Sequence, residues 1–178
     1  MTLEQVEAIV HQEPPVGNLV KPKYAGIGSR VITEDIWARI IGIGSYLRGQ
    51  NWTCVSGGAD GSDTAFEQAA RDDFEVWRPK DATVEAREIA ENFHPNWDGC
   101  DRYTKALHAR NSMIILGEDC NTPVQFVVAY TEGGKLKGGT AQGLRIAKAY
   151  QIPIYNIGQF PDEGFFHFRE WYKTIINQ

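Results

Sequence analysis

Trp52-Thr53-Cys54-Val55-Ser56-Gly57-Gly58-Ala59-Asp60-Gly61-Ser62-Asp63-Thr64-Ala65-Phe66 reads as strand, glycine turn and helix in immediate succession. Trp52 to Val55 forms a short apolar strand, and Asp63 to Arg71 a helix with Ala65, Phe66, Ala69 and Ala70 turned inward. A strand that feeds a helix through glycines leaves backbone N–H groups and the positive end of a helix dipole facing outward, which suits phosphate. Two more segments repeat the arrangement, Gly26-Ile27-Gly28-Ser29-Arg30 near the start and Lys137-Gly138-Gly139-Thr140-Ala141-Gln142-Gly143 near the end. In an open α/β sheet such turns converge at the carboxyl ends of parallel strands, where these sheets bind ligands.

Outward from this segment the pattern alternates strand and helix, with no internal repeat or low-complexity stretch, and supports a single α/β unit. Tyr24 to Ile27 gives the first strand. Thr33 and Asp35 offer a helix start, and Ile36, Trp37, Ile40, Ile41 and Leu47 recur at helical spacing up to Gly49. Phe74 to Trp77, Val124 to Tyr130 and Ile152 to Asn156 give further strands. Glu85 to Phe93 reads as helix and Pro95 to Gly99 as a break. Asp101 to Leu116 reads as helix because Tyr103, Leu107, Arg110 and Ile114 keep a spacing of three or four, although Met113 to Leu116 alone resembles a strand. Thr140 to Tyr150 is the next helix. The tail from Glu163 to Ile176 aligns Phe165, Phe168, Trp171 and Tyr172 on one stripe, expected to pack on the core. Residues 1–22 are expected to form an N-terminal helix (2–12) and an arm, residues 23–158 the α/β domain, and residues 159–178 a C-terminal helix packed on it.

A chain of 178 residues fits one domain, and its net charge of −5 provides no global basic field to attract nucleic acid or an anionic membrane. Beyond Lys135, Lys137, Arg145 and Lys148 no cluster of Lys and Arg stands out, so nucleic acid is not expected as a partner. No apolar run approaches the roughly 18 residues of a membrane span, and a cytoplasmic protein without a membrane partner is expected. Cys54, Cys100 and Cys120 are odd in number and widely spaced, suggesting neither a disulfide framework nor zinc. His94, His108 and His167 share no metal spacing with cysteines or carboxylates, so no metal is expected, and no cofactor is implied.

The loops carry the candidate chemistry. After Gly26 and Gly28, the hydroxyl of Ser29 and the guanidinium of Arg30 both suit phosphate oxygens, but Val31 stands where a full dinucleotide fingerprint has its third glycine. In the second loop Gly57, Gly58 and Gly61 permit close approach. Asp63 is read as a helix cap, and Asp60 either makes a turn or meets a ribose hydroxyl or base edge. Gly138, Gly139 and Thr140 present N–H groups and a hydroxyl at a helix start. Trp97, Tyr103 and Tyr130 have faces suited to stacking on a base, with core packing the expected role of each.

These loops in this order resemble the SLOG superfamily of Rossmann-like proteins. That superfamily includes the DNA-processing protein A of natural transformation, the Lonely Guy phosphoribohydrolases and nucleotide-sensing domains of bacterial immune systems. The segment from Ser56 through Ala59 to Phe66 looks like the signature of the DNA-processing branch, and Leu107-His108-Ala109-Arg110-Asn111-Ser112-Met113 like an Arg-Asn helix found in several branches. In length and in Gly138-Gly139-Thr140 the chain is also similar to small phage-encoded members. The resemblance implies a three-layer sandwich around a mostly parallel sheet of about five strands in the order 3-2-1-4-5. It also implies that Arg110 leans toward a ligand phosphate, with Asn111 supporting the loops; His108, two residues before Arg110, is near enough to point at the loops as well.

Lonely Guy enzymes keep glutamates after their glycine loop, whereas this chain has Gln142 and Gly143. A glutamine cannot take a proton or stabilise an oxocarbenium ion as a carboxylate does. The expectation is therefore a protein that binds a nucleotide-derived small molecule without turnover, such as a cyclic or ADP-ribose-type immune signal sequestered for a phage. The amphipathic tail and the apolar Ile40, Ile41 and Ile43 face, with the family's habit of pairing domains, point to a homodimer or higher homo-oligomer. No catalytic residue is assigned. One alternative is a nucleoside or nucleotide N-glycosidase taking its acid from Asp60, Asp63, Glu118 or Glu132. The other is a single-stranded DNA-binding recombination mediator.

Overall fold

The computed structural model describes residues 20–177, so the expected helix over residues 2–12 lies outside the described residues. Five parallel strands form the sheet: β1 (Lys23–Gly28), β2 (Thr53–Ser56), β3 (Phe74–Val76), β4 (Val127–Tyr130) and β5 (Ile154–Asn156). Their order is β3-β2-β1-β4-β5, the Rossmann-like arrangement expected from the sequence. Between them run the helices α1 (Glu34–Gly49), α2 (Ser62–Ala70), α3 (Val84–Phe93), α4 (Arg102–Leu116) and α5 (Thr140–Ala149), and α6 (Phe165–Ile176) follows the last strand.

The period of two along the strands divides the core. Tyr24, Cys54, Phe126, Val128 and Tyr155 face one way, against Ile36, Ile40, Ile43 and Leu47 of α1, Phe66 of α2 and Phe168 and Tyr172 of α6. Ala25, Ile27, Val55, Val127 and Ala129 face the other, against Ile114, Ile115 and Leu116 of α4 and Leu144, Ile146 and Ala147 of α5. The Met113-Ile114-Ile115-Leu116 run is thus the buried end of a helix. The last turns of α4, Ser112 to Leu116, are buried all round, which makes a helix end read as a continuous apolar run, and Gly117, at φ +85°, turns the chain out of it.

The helix starts follow capping chemistry. Thr33, Thr83 and Asp101 each accept a hydrogen bond from a backbone N–H in the first turn of α1, α3 and α4 respectively. Phe168 and Tyr172 of α6 are buried, whereas Phe165 is exposed, and the Trp52 indole N–H donates to the Tyr172 hydroxyl at 2.7 Å within the core. No helix among the described residues is long and apolar enough to cross a membrane. A third small cluster, Ala86, Ala90, Trp97, Ala109 and Met113, joins α3 to α4. Beyond this cluster, Ile114, Ile115 and Leu116 at the end of α4 pack on the sheet.

Candidate functional site

The chain passes from β1 to β2 on one side and continues through β4 and β5 on the other, which places the topological switch point between β1 and β4. At their carboxyl ends opens a cleft of about 1430 Å³. Residues 28–33 after β1, residues 130–141 around the end of β4, and one face of α4 line it.

The first two loops are bound to each other. Ser29 donates its backbone N–H to the Tyr130 carbonyl at 2.9 Å, and the Ser29 carbonyl accepts both the backbone N–H of Ser62 at 3.0 Å and its hydroxyl at 2.9 Å. Gly61, at φ +78°, lies so close to the Ser29 and Arg30 carbonyls that a side chain has no room there. Gly61, not Asp63, is the residue before α2, and it makes no side-chain cap. The Asp63 carboxylate instead accepts the Ala59 N–H at 3.2 Å and holds the glycine loop from beneath. Burial raises its pKa, opposed by that N–H, by the charge of Arg110 and by Ser56 and Gly57.

Arg110 is the centre of the site. Its side chain leaves α4 in the cleft lining and its guanidinium rests on the backbone of Gly57, at a position a β-carbon would occupy. The residue is 6% exposed and its Nε is buried without a hydrogen-bond partner. Burial lowers its pKa, Asp63 counters that, and the charges of Arg30 and Arg78 add to the lowering. A buried cation with an unfilled donor calls for an anionic oxygen.

The third loop also lines the cleft. Gly138, Gly139 and Thr140 line the cleft at the start of α5, and the Asn111 side-chain amide donates to the Gly139 carbonyl at 3.1 Å, tying this loop to α4. A β-carbon built on Gly139 would meet nothing within 4 Å.

The structure gathers most of the expected residues. Gly28, Ser29, Arg30, Ala59, Asp63, His108, Arg110, Asn111, Gly138, Gly139 and Thr140 line the cleft. Gly57 and Gly58 lie beside it under the guanidinium groups of Arg110 and Arg78. Gly26 is inside β1, and the Ser56 hydroxyl donates to its carbonyl at 2.6 Å, so both serve the sheet. Asp60 is exposed and does not line the cleft. Gln142 turns away from the cleft: its amide donates to the Ala90 carbonyl at 2.8 Å, and its oxygen accepts from Arg145 at 2.9 Å. Of the aromatic candidates, Trp97 is buried, Tyr130 lines the cleft and Tyr103 is 65% exposed.

The charge of the cleft is opposite to that of the chain. Arg30, Arg110, Lys135, Lys137 and Arg145 line it against the carboxylates Asp63 and Glu132. Sequence position scatters these cations over more than a hundred residues, and only the convergence of loops at the switch point collects them. His94 also lines the cleft, its ring centroid 4.3 Å from that of His108. Burial and the nearby charges of His94, Arg145 and Arg110 lower the pKa of His108 to about 4. The missing metal spacing does not keep these residues apart, because the turn between α3 and α4 places His94, Cys100 and His108 together.

No protein-family model matches the chain, and no curated protein matches it. Among solved structures it is similar to DNA processing protein A from Helicobacter pylori, described for its single-stranded DNA binding mode, with a TM-score of 0.60 and 20% identity. The match covers 88% of this chain and 81% of that one. The expectation against nucleic acid is corrected by this finding: a protein of the same fold binds single-stranded DNA, and net charge is no measure of a cleft whose own lining is basic. The chain is a distant structural relative of DNA processing protein A, sharing with it the Rossmann-like fold over most of its length.

Proposed function

We propose that the protein binds single-stranded nucleic acid across the carboxyl edge of its sheet, seating a backbone phosphate on Arg110. The observation that carries this reading is the Arg110 guanidinium itself, buried, without a partner at Nε, and opening into a cleft with an excess of cations. Arg30 and Lys137 lie on the cleft lining for neighbouring phosphates, and Tyr130 and the exposed Tyr103 offer faces for unstacked bases. The likeness to a single-stranded DNA-binding protein supports the choice of a strand over a free nucleotide.

A second reading has its own observation. The Gly138-Gly139-Thr140 turn lines the same cleft as Arg110, so two linked phosphates of a dinucleotide or cyclic nucleotide would find a donor at each. In this reading the protein holds a nucleotide signal without cleaving it.

Fluorescence anisotropy of a labelled oligo-dT strand separates the two. Binding that weakens with salt, and weakens tenfold or more in Arg110→Ala while that variant is still folded at the assay temperature, is the expected result. Absence of strand binding at low salt, together with a rise in melting temperature on adding nucleotides, would transfer the assignment to the second reading.

A further inference from the structure

His94 ends α3, Cys100 follows the Pro95–Gly99 turn, and His108 sits two turns into α4. One ligand atom from each of the three lies within 4.8 Å of the others. We propose that His94, Cys100 and His108 form a three-ligand site for a borderline-soft divalent cation of the zinc class, with its open coordination position toward the cleft.

Four observations carry this assignment. The Cys100 sulfur lies 3.9 Å from each ring nitrogen of His94. The His108 side chain is 7% exposed and its Nδ1 is buried with no hydrogen-bond partner, a lone pair or N–H that the folded chain leaves unused. Both histidines line the cleft, so a cation held by them faces solvent and any bound anion. The donor set is two imidazoles and a thiolate, which selects zinc-like ions over magnesium or calcium.

The turn that would close on the ion is anchored from behind. Trp97 is buried in the α3–α4 cluster, with Arg87 and Lys105 over its ring at 5.8 and 5.4 Å. The remaining contacts are weak enough to yield. Asn96 donates its N–H to His94 Nδ1 at 3.2 Å, and the Cys100 thiol donates to the Asn96 carbonyl at 3.4 Å. Tetrahedral zinc with bonds of about 2.0–2.3 Å holds its ligand atoms roughly 3.3–3.8 Å apart, so the three groups need to draw in by about 1 Å. Arg145 and Arg110 also line the cleft, the Arg145 guanidinium is held by Gln142, and the thiolate offsets their charge at the ion. Binding releases the thiol proton and leaves a centre of net positive charge, suited to an anionic oxygen or water in the fourth position. The assignment rests on the α3–α4 hairpin and stands independently of the nucleic-acid reading.

The test uses the full, reduced, chelator-treated protein and cobalt(II) as a spectroscopic stand-in for zinc. One equivalent of cobalt is expected to produce a thiolate-to-metal absorption in the near ultraviolet that added zinc abolishes. Cys100→Ser is expected to lose that band and Cys120→Ser to keep it. In the unmodified protein, zinc is expected to protect Cys100 from alkylation by iodoacetamide while leaving Cys120 reactive. No thiolate band at stoichiometric cobalt, or equal alkylation of Cys100 with and without zinc, would overturn the proposal.

Discussion

The guanidinium of Arg110 occupies the space that a β-carbon on Gly57 would take. Helix α4 and the loop after β2 are therefore fitted to each other at a single point, and the residue type at position 57 sets where the cation of α4 sits. Glycine here is a requirement of close approach, since any side chain displaces the arginine.

Gly57→Ala is accordingly expected to reproduce the binding defect of Arg110→Ala without removing the charge. The added methyl drives the guanidinium off its seat and costs about 1–3 kcal/mol of stability as well. Parallel anisotropy and melting measurements check this, and an alanine variant with normal affinity would show that Arg110 works from another position.

Asp63 gives the pH dependence a sign. Its folded-state pKa is raised from 3.8, so the folded chain holds this proton more tightly than the unfolded chain does. Stability is thus lost as pH rises from 3.8 through the raised value, and the loss persists above it. Asp63→Asn keeps an acceptor for the Ala59 N–H and never charges. Melting curves should show the variant gaining on the parent as pH increases through that window, and a difference independent of pH would contradict the assignment. Removing the carboxylate beside Arg110 is also expected to tighten anion binding.

Gln142→Glu restores the residue type that the Lonely Guy resemblance associates with cleavage. The amide donor to the Ala90 carbonyl is lost, and a carboxylate is left facing that carbonyl in the interior, with Arg145 its only compensation. The expected result is a stability loss of about 1–3 kcal/mol and no release of free base from nucleosides or nucleotides. Chromatography of the incubated mixture and a thermal melt decide both parts.

Tyr172→Phe tests how α6 is fastened. The indole N–H of Trp52 loses its acceptor at 2.7 Å and remains buried, at a cost of about 1–3 kcal/mol. A melting temperature lower by roughly 2–4 °C for each kcal/mol is expected, with ligand affinity unchanged because α6 lies across the sheet from α4 and α5.

The sheet was legible because the strands carry their own apolar patterns and three of the helices their own capping residues. Tyr24 against Ala25 and Val128 against Val127 sort to opposite layers, and Thr33 and Asp101 stand where helices begin. Loop glycines were legible for the same local reason. Arg110 was visible only through the resemblance, since on periodicity it is one member of a helical spacing. Gln142 was misplaced in the cleft because a loop motif orders residues along the chain but does not say which way the first turn of a helix points them. The basic cleft and the His94, Cys100 and His108 group were hidden because charge balance and ligand spacing are linear measures. Convergence of loops and the α3–α4 hairpin act in three dimensions.

Gly139 faces open space in an ordinary right-handed helical conformation, so neither packing nor backbone geometry requires glycine there. An alanine at that position asks nothing of the fold. Any change it brings to binding therefore measures how near a ligand comes to the main chain, which makes Gly139→Ala a ruler for the occupant of the cleft and a means of telling a strand that passes over the loop from a phosphate that rests on it.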